Sequence, residues 1–400
     1  MGASRFANAA LPLAITVLLS ACVNTPTSNN VSTSHIDNKS LPPISLFAAR
    51  PSDALQHECD QFAQSSVLNH CQYAPVDWAH YLNSFQRANK FQQVYPRDSN
   101  IEYQLEIAAA GFYQETVEDI GKAALAGATL MLLPIDMQSQ IHVEMNLYWR
   151  NQKLVSQRYE LPHNNTVSLF HSPEQGNTQF ADSVVSRFLN DAQQHQWFGP
   201  QFLAAKLQSS NYQDDFTLGE QIDQFAASYK YIYRNPLLGA TMRYNHQQFV
   251  ADYVDVFVYP IREISWHNSQ QVLNKEIANV QAEIERYISE HTEQPTLAFN
   301  AEQTQFISLD LDTQPTPIQG AYFDGVISEA GKEDIFSSTY LFIVKDKFVK
   351  FRASFPASFL RGFVEQALAQ ISIPNESKFM ATLRQQEHDK RLSVDQKKAP

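Results

Sequence analysis

The chain has 400 residues, with 30 Lys and Arg against 42 Asp and Glu, and a formal net charge of −12 at pH 7. That balance argues against nucleic acid or a broadly anionic membrane surface as a general partner, because both would repel it. With 44% hydrophobic and 12% aromatic residues there is material for a sizeable core, and the length suggests two domains.

Residues 1–21 read as an export signal: a head whose only charge is Arg5, an apolar stretch from Ala9 to Leu19, then the small residues Ser20 and Ala21. An apolar run of about 11 residues is short of the roughly 20 that a membrane-spanning helix needs, so cleavage after export is expected. The order Leu19-Ser20-Ala21-Cys22 resembles the lipobox of bacterial lipoproteins. The resemblance implies a diacylated Cys22 as the new N-terminus, acylated again, and a protein held to a membrane by lipid. Several acyl chains together anchor stably where one would not. Val23 stands where that family usually shows Asp for inner-membrane retention. The expected address is therefore the outer membrane, facing the periplasm.

Setting Cys22 aside leaves Cys59 and Cys71, an even pair in an oxidising compartment, and a disulfide is expected. The competing reading is a metal site from His57, Cys59, His70 and Cys71, but their spacing fits no zinc pattern, so no metal is expected. Residues 22–50, rich in Asn, Ser, Thr and Pro up to about residue 45, read as a flexible tether. Residues 51–99 read as a helical element, with one helix starting at Ser52-Asp53 and a second capped by Asp77 and running from Trp78 to about Ala88.

An α+β domain is expected over residues 100–200. Ile101, Tyr103, Leu105 and Ile107 alternate as a strand, followed by a helix from Glu115 to Leu125 and a strand from Thr129 to Leu133. A hairpin over Ile141 to Leu161 turns at Asn151-Gln152, and Phe180, Val184, Val185, Phe188, Leu189 and Ala192 fall at helical spacing.

A second α+β module is expected over residues 222–374. It opens near Phe225 with Tyr229, Tyr231 and Tyr233 on one strand and continues in Val254, Val256 and Val258. Asn268 caps a long helix striped by Val272, Leu273, Ile277, Val280, Ile284, Tyr287 and Ile288. Strands at 319–328, 338–344 and 347–355 and a helix at 358–371 complete it, and residues 375–400 read as a polar tail. The run Asp255-Val256-Phe257-Val258-Tyr259-Pro260, the Gly320-Ala321-Tyr322 strand, and the hairpin Thr339 to Val344 into Phe348 to Arg352, with the helices around them, resemble PsbP-like and Mog1-like domains. That resemblance implies an antiparallel sheet sandwiched by helices, used for assembly or binding, and it transfers no functional residue. The fold class expected overall is α+β, two modules of antiparallel sheet packed with helices, the C-terminal one an α/β/α sandwich.

Catalytic and cofactor signatures are missing. There is no G-x-S-x-G elbow, and 12 scattered glycines supply neither a dinucleotide fingerprint nor a Walker loop. No catalytic residue and no cofactor is expected. The pair His142 and Glu144, and Asp310 with Asp312, read as solvated strand faces. Two constellations suggest binding. Lys345, Lys347, Lys350, Arg352 and Arg361 concentrate positive charge, with Lys350 and Arg352 the core of a docking patch for an envelope protein, lipid phosphates or cell-wall carboxylates. Tyr229, Tyr231 and Tyr233 with Arg234, Arg243 and Tyr244 nearby combine aromatics and Arg as interfaces do. The sequence therefore reads as a noncatalytic binding or adaptor module of the cell envelope. The alternatives are a hydrolase of envelope polymers, which needs a cleft of convergent titratable groups, and a small-ligand or lipid carrier, which needs a cavity between sheet and helix.

Overall fold

The computed structural model describes residues 41–398 except 117, 119–134, 168–173, 250, 265, 292–296, 313–315 and 330–332. Cys22 and the export signal lie outside the described residues, as do the rest of the tether before 41 and most of the helix expected at 115–125 with the strand at 129–133. The chain divides into two compact units, Ser34–Phe202 and Leu203–Pro400. Among the described residues no helix is long and apolar enough to cross a membrane.

The N-terminal unit contains β1 (Ile44–Ala48), α1 (Asp53–Ser65), β2 (Asn69–Tyr73), α2 (Trp78–Ala88), β3 (Val94–Pro96), β4 (Tyr103–Gln114), β5 (Ile135–Trp149), β6 (Gln152–Val167) and α3 (Glu174–Gln194). One sheet runs β3-β1-β4-β5-β6. The first half of β4 pairs in parallel with β1, and its second half pairs antiparallel with β2. The strands β5 and β6 form a hairpin where one was expected, but it is longer than Ile141 to Leu161 and turns one residue earlier than Asn151-Gln152, through Arg150 and Asn151 at φ 45° and 67°. Two consecutive positive φ values give the twist a two-residue hairpin needs.

Two expectations change here. Residues 41–48 belong to the sheet rather than the tether, because Ile44, Ser45 and Leu46 are fully buried and pair in register with Tyr103, Gln104 and Leu105 of β4. Residues 51–99 form part of this sheet unit through β2 and β3 rather than standing as a helical element of their own. Helix α1 lies over β4, with Leu55 and Cys59 packed on Ala110 and Phe112. Cys59 and Cys71 stand at disulfide distance, their Cα atoms 5.5 Å apart.

The C-terminal unit contains α4 (Pro200–Leu207), α5 (Tyr212–Asp215), β7 (Gln221–Ile222), β8 (Phe225–Ile232), β9 (Ala240–His246), β10 (Tyr253–Pro260), α6 (Ser269–His291), β11 (Leu297–Ala301), β12 (Gln305–Leu309), β13 (Ile318–Phe323), β14 (Gly325–Glu329), β15 (Ile335–Phe336), β16 (Ser338–Val344), β17 (Lys347–Ala353), α7 (Ala357–Gln370) and α8 (Lys378–Lys398). An eight-stranded antiparallel sheet runs β12-β13-β16-β17-β10-β9-β8-β7, and β11-β14-β15 form a smaller sheet. The segment expected as one strand at 319–328 is therefore two, in different sheets, broken at Asp324, whose carboxylate accepts from Ser338 and from the Ala357 N–H.

Period-2 alternation divides the large sheet between two helices. Val254, Val256, Val258, Val349 and Phe351 face α7, whose Leu360, Phe363, Val364 and Leu368 complete that core. Leu341, Phe348 and Ala321 face α6, whose Val272, Leu273, Ile277, Val280 and Ile284 complete the other. This is the α/β/α arrangement within an α+β protein. Each such side chain fully buried contributes about 1.5–3 kcal/mol relative to exposure, which fixes both helices on the sheet.

The expected polar tail is instead mostly helix α8. Its first turns bury Phe379, Met380 and Arg384, and Arg384 donates to the Ile261 carbonyl and to Asp346. A helix that is polar almost throughout is held by one short apolar and ionic foothold at its start.

Candidate functional site

On the α6 side, the central strands carry a polar row that the pairing registers place side by side: Tyr229, Arg243, Asp255, Arg352 and Thr339. Asp255 is 1% exposed and accepts two hydrogen bonds from Arg243, at 2.7 and 2.6 Å. The Arg243 guanidinium also stacks on the rings of Tyr253 and Tyr229, 4.3 and 5.6 Å from their centroids. Arg352 donates to Ser337 Oγ at 3.2 and 3.0 Å. A planar fork held bidentately by a carboxylate and lying against two aromatic rings is a rigid structural unit.

Next to this row, between the sheet and α6, lies a cavity of about 190 Å³. Its floor is Phe257, Tyr259, Phe348 and Lys350, and its roof is a helical stripe through Val272, Glu276, Asn279 and Glu283. Leu237 and Leu238 close one side, where the preceding turn reaches the sheet at Gly239, with φ +67°. A Cβ on Gly239 would overlap the Val258 carbonyl oxygen, so only glycine allows this approach.

Most of the cavity's charges are already matched. Lys275 pairs with Glu263. Glu276 accepts from the Tyr259 hydroxyl at 2.7 Å and from Asn279 at 3.3 Å. Lys350 and Glu283 are the exceptions. Lys350 is 4% exposed; its ammonium lies 4.8 and 5.4 Å from the ring centroids of Phe257 and Tyr259, and among the described residues it has no hydrogen-bond acceptor and no ion pair. Glu283 is 9% exposed, and its Oε1 is buried without a hydrogen-bond partner among the described residues. Burial pushes the Glu283 carboxyl above its ordinary range, against the pull of Lys350 and with the push of Glu276. Among the described residues no group of three or more His, Cys, Asp or Glu is arranged to hold a metal ion.

Lys350 and Arg352 do lie opposite Val349 and Phe351, but that second face is roofed rather than solvated, so both are buried and the exposed docking patch is not formed. Lys347 is fully buried against Asp346, Lys345 donates to the Ile373 carbonyl, and Arg361 is exposed beside Glu365. Tyr229 and Tyr231 share the face of Arg243, and Tyr233 lies past the strand end with its ring 5.0 Å from that of Tyr231. Tyr229 is 42% exposed, whereas Tyr231, Tyr233 and Arg234 are partly buried. Neither a protein-family model nor a curated protein matches this chain.

Two polar clusters in the N-terminal unit are distinct from this cavity. His142, expected on a solvated face, is buried by α1 beside Arg158, Glu58 and Glu160, and Glu144 accepts from Ser52 at the start of α1. Ser139 Oγ, His163 and Asn177 make a chain of 3.4 and 3.0 Å contacts. That chain has the residue types of a nucleophile relay, but the Ser139 hydroxyl also lies 3.3 Å from the His163 carbonyl, as a strand-pairing contact does. Sequence reading missed Glu276, Asn279 and Glu283. Their signal was available: each sits one position from a core residue of the α6 stripe, at Ile277, Val280 and Ile284.

Proposed function

We propose that this is a lipid-anchored binding protein of the bacterial envelope, held at Cys22, whose C-terminal unit binds a small polar ligand in the cavity beneath α6. The observation that carries the binding role is Lys350, a buried ammonium that lines a cavity without a hydrogen-bond acceptor. Burying an unpaired charge is costly, and stacking on two aromatic rings offsets only part of that cost. A fold under no further demand would place an apolar side chain there, as it does at Phe348 two residues before. No Ser, Cys or Thr is among the cavity's lining residues, so the lining offers no serine-, threonine- or cysteine-type nucleophile, and the titratable groups there are read as ligand contacts. The element order that resembles PsbP-like and Mog1-like domains agrees with a binding module.

Native mass spectrometry of the full chain extracted from the membrane fraction tests this reading. A small-molecule adduct is expected on the wild type and absent from Lys350→Met, and a Cys22→Ser chain is expected to leave the membrane fraction. Identical spectra for wild type and Lys350→Met would remove the cavity as the binding site, and a membrane-bound Cys22→Ser chain would remove the anchor.

A further inference from the structure

Resting on that binding role, we infer that the ligand is a small amino carboxylate, a molecule carrying both a carboxylate and an ammonium, with Lys350 receiving the carboxylate and Glu283 the ammonium.

The inference comes from elimination within the cavity. Six charged side chains line it: Arg262, Glu263, Lys275, Glu276, Glu283 and Lys350. Lys275 and Glu263 neutralise each other, Glu276 is occupied by Tyr259 and Asn279, and Arg262 donates to the Leu237 carbonyl. What remains is one cation without an acceptor and one carboxylate with a buried, unmet oxygen. They are electrostatically coupled, yet no ion pair joins them. Two opposite charges that face one cavity and do not close on each other leave room for a ligand of matching polarity. A purely anionic ligand would meet Lys350 but add a further negative charge beside Glu283 and Glu276, and a purely cationic one would meet Glu283 but sit against Lys350. The volume sets the size: about 190 Å³ corresponds to about six waters at roughly 30 Å³ each, below the range of drug-sized pockets. The apolar walls, Phe257, Val272, Leu237 and Phe348, suit a short methylene chain between the two charged ends.

Isothermal titration calorimetry on the detergent-solubilised full chain, with glycine, β-alanine and 4-aminobutyrate as probes and acetate and methylammonium as single-charge controls, tests the class of ligand. At least one amino carboxylate is expected to bind about tenfold or more tighter than either control, since each charged hydrogen bond is lost in one control. Lys350→Met should abolish that binding, and Glu283→Gln should reduce the preference over acetate. The comparison among probes on the wild type stands even if a variant fails to fold. Acetate binding as tightly as the amino carboxylates, and lost in Lys350→Met, would overturn the two-charge ligand while leaving the binding site in place. Absence of binding by every probe would overturn the inference, and the mass spectra of wild type and Lys350→Met then decide the binding role separately.

Discussion

At the scale of single residues, this protein places ionised groups in its interior in two different ways. Asp255 and Arg243 form a bidentate pair, so truncating either should leave a buried charge without its partner. Arg243→Met is expected to lower the unfolding free energy by about 3–5 kcal/mol in denaturant titration, whereas an exposed pair such as Arg361 and Glu365 should contribute little. In the N-terminal unit, burial pushes the imidazoles of His163 and His142 below their ordinary value of 6.5. His163 faces Ser139, Asn177 and the Phe180 ring, while His142 faces Arg158, Glu58, Glu160 and the Phe112 ring. The folded state thus binds protons less readily than the unfolded one. The resulting stability is fully present above about pH 6.5 and lost as pH falls through the depressed values. Thermal unfolding followed from pH 8 to pH 5 should show the melting temperature falling below about 6.5, with a shallower fall in His163→Gln.

At the scale of elements, the disulfide-distance pair matters because α1 has little core of its own, with Leu55 and Cys59 its buried residues. Its other attachments include the Ser52 contacts to Glu144, the Glu58 contacts with Arg158 and His142, and the Phe62 ring against Phe112. Cys71→Ser is expected to lower stability by about 3 kcal/mol, and reductant should reproduce that loss in the wild type and change nothing in the variant. Much of the element plan was legible from alternation and capping. Helix α2 begins after Asp77 as its cap implies, and β16 spans Ser338–Val344 as its pattern implies. What was not legible has local physical causes. Strict alternation from Phe225 would put Tyr229 on the core face of α7; a bulge between Ala227 and Tyr229 moves the tyrosines to the face of Arg243 instead. Lys350 and Arg352 were correctly assigned to one face of β17, but whether that face meets water depends on where α6 returns. That packing joins residues far apart in sequence, and no local pattern encodes it. Likewise α8 is polar at almost every position, and its foothold at Phe379, Met380 and Arg384 is too short to register as a stripe.

At the scale of the whole molecule, the C-terminal sheet unit keeps a cavity lined by charged side chains between its sheet and α6. The two cores of the α/β/α arrangement explain why such a site is tolerated: the sheet is clamped by apolar helix contacts on both faces, so stability does not rest on Lys350. Under the proposed binding role, Lys350 is retained for a ligand at the expense of the empty fold. The most direct measurement is the unfolding free energy of ligand-free Lys350→Met against the wild type. Met fills similar space against Phe257 and Tyr259 and removes the unpaired charge, so the variant is expected to be more stable, by about 1–4 kcal/mol. A loss of stability of that size would show that Lys350 holds the fold together and would contradict its role in binding.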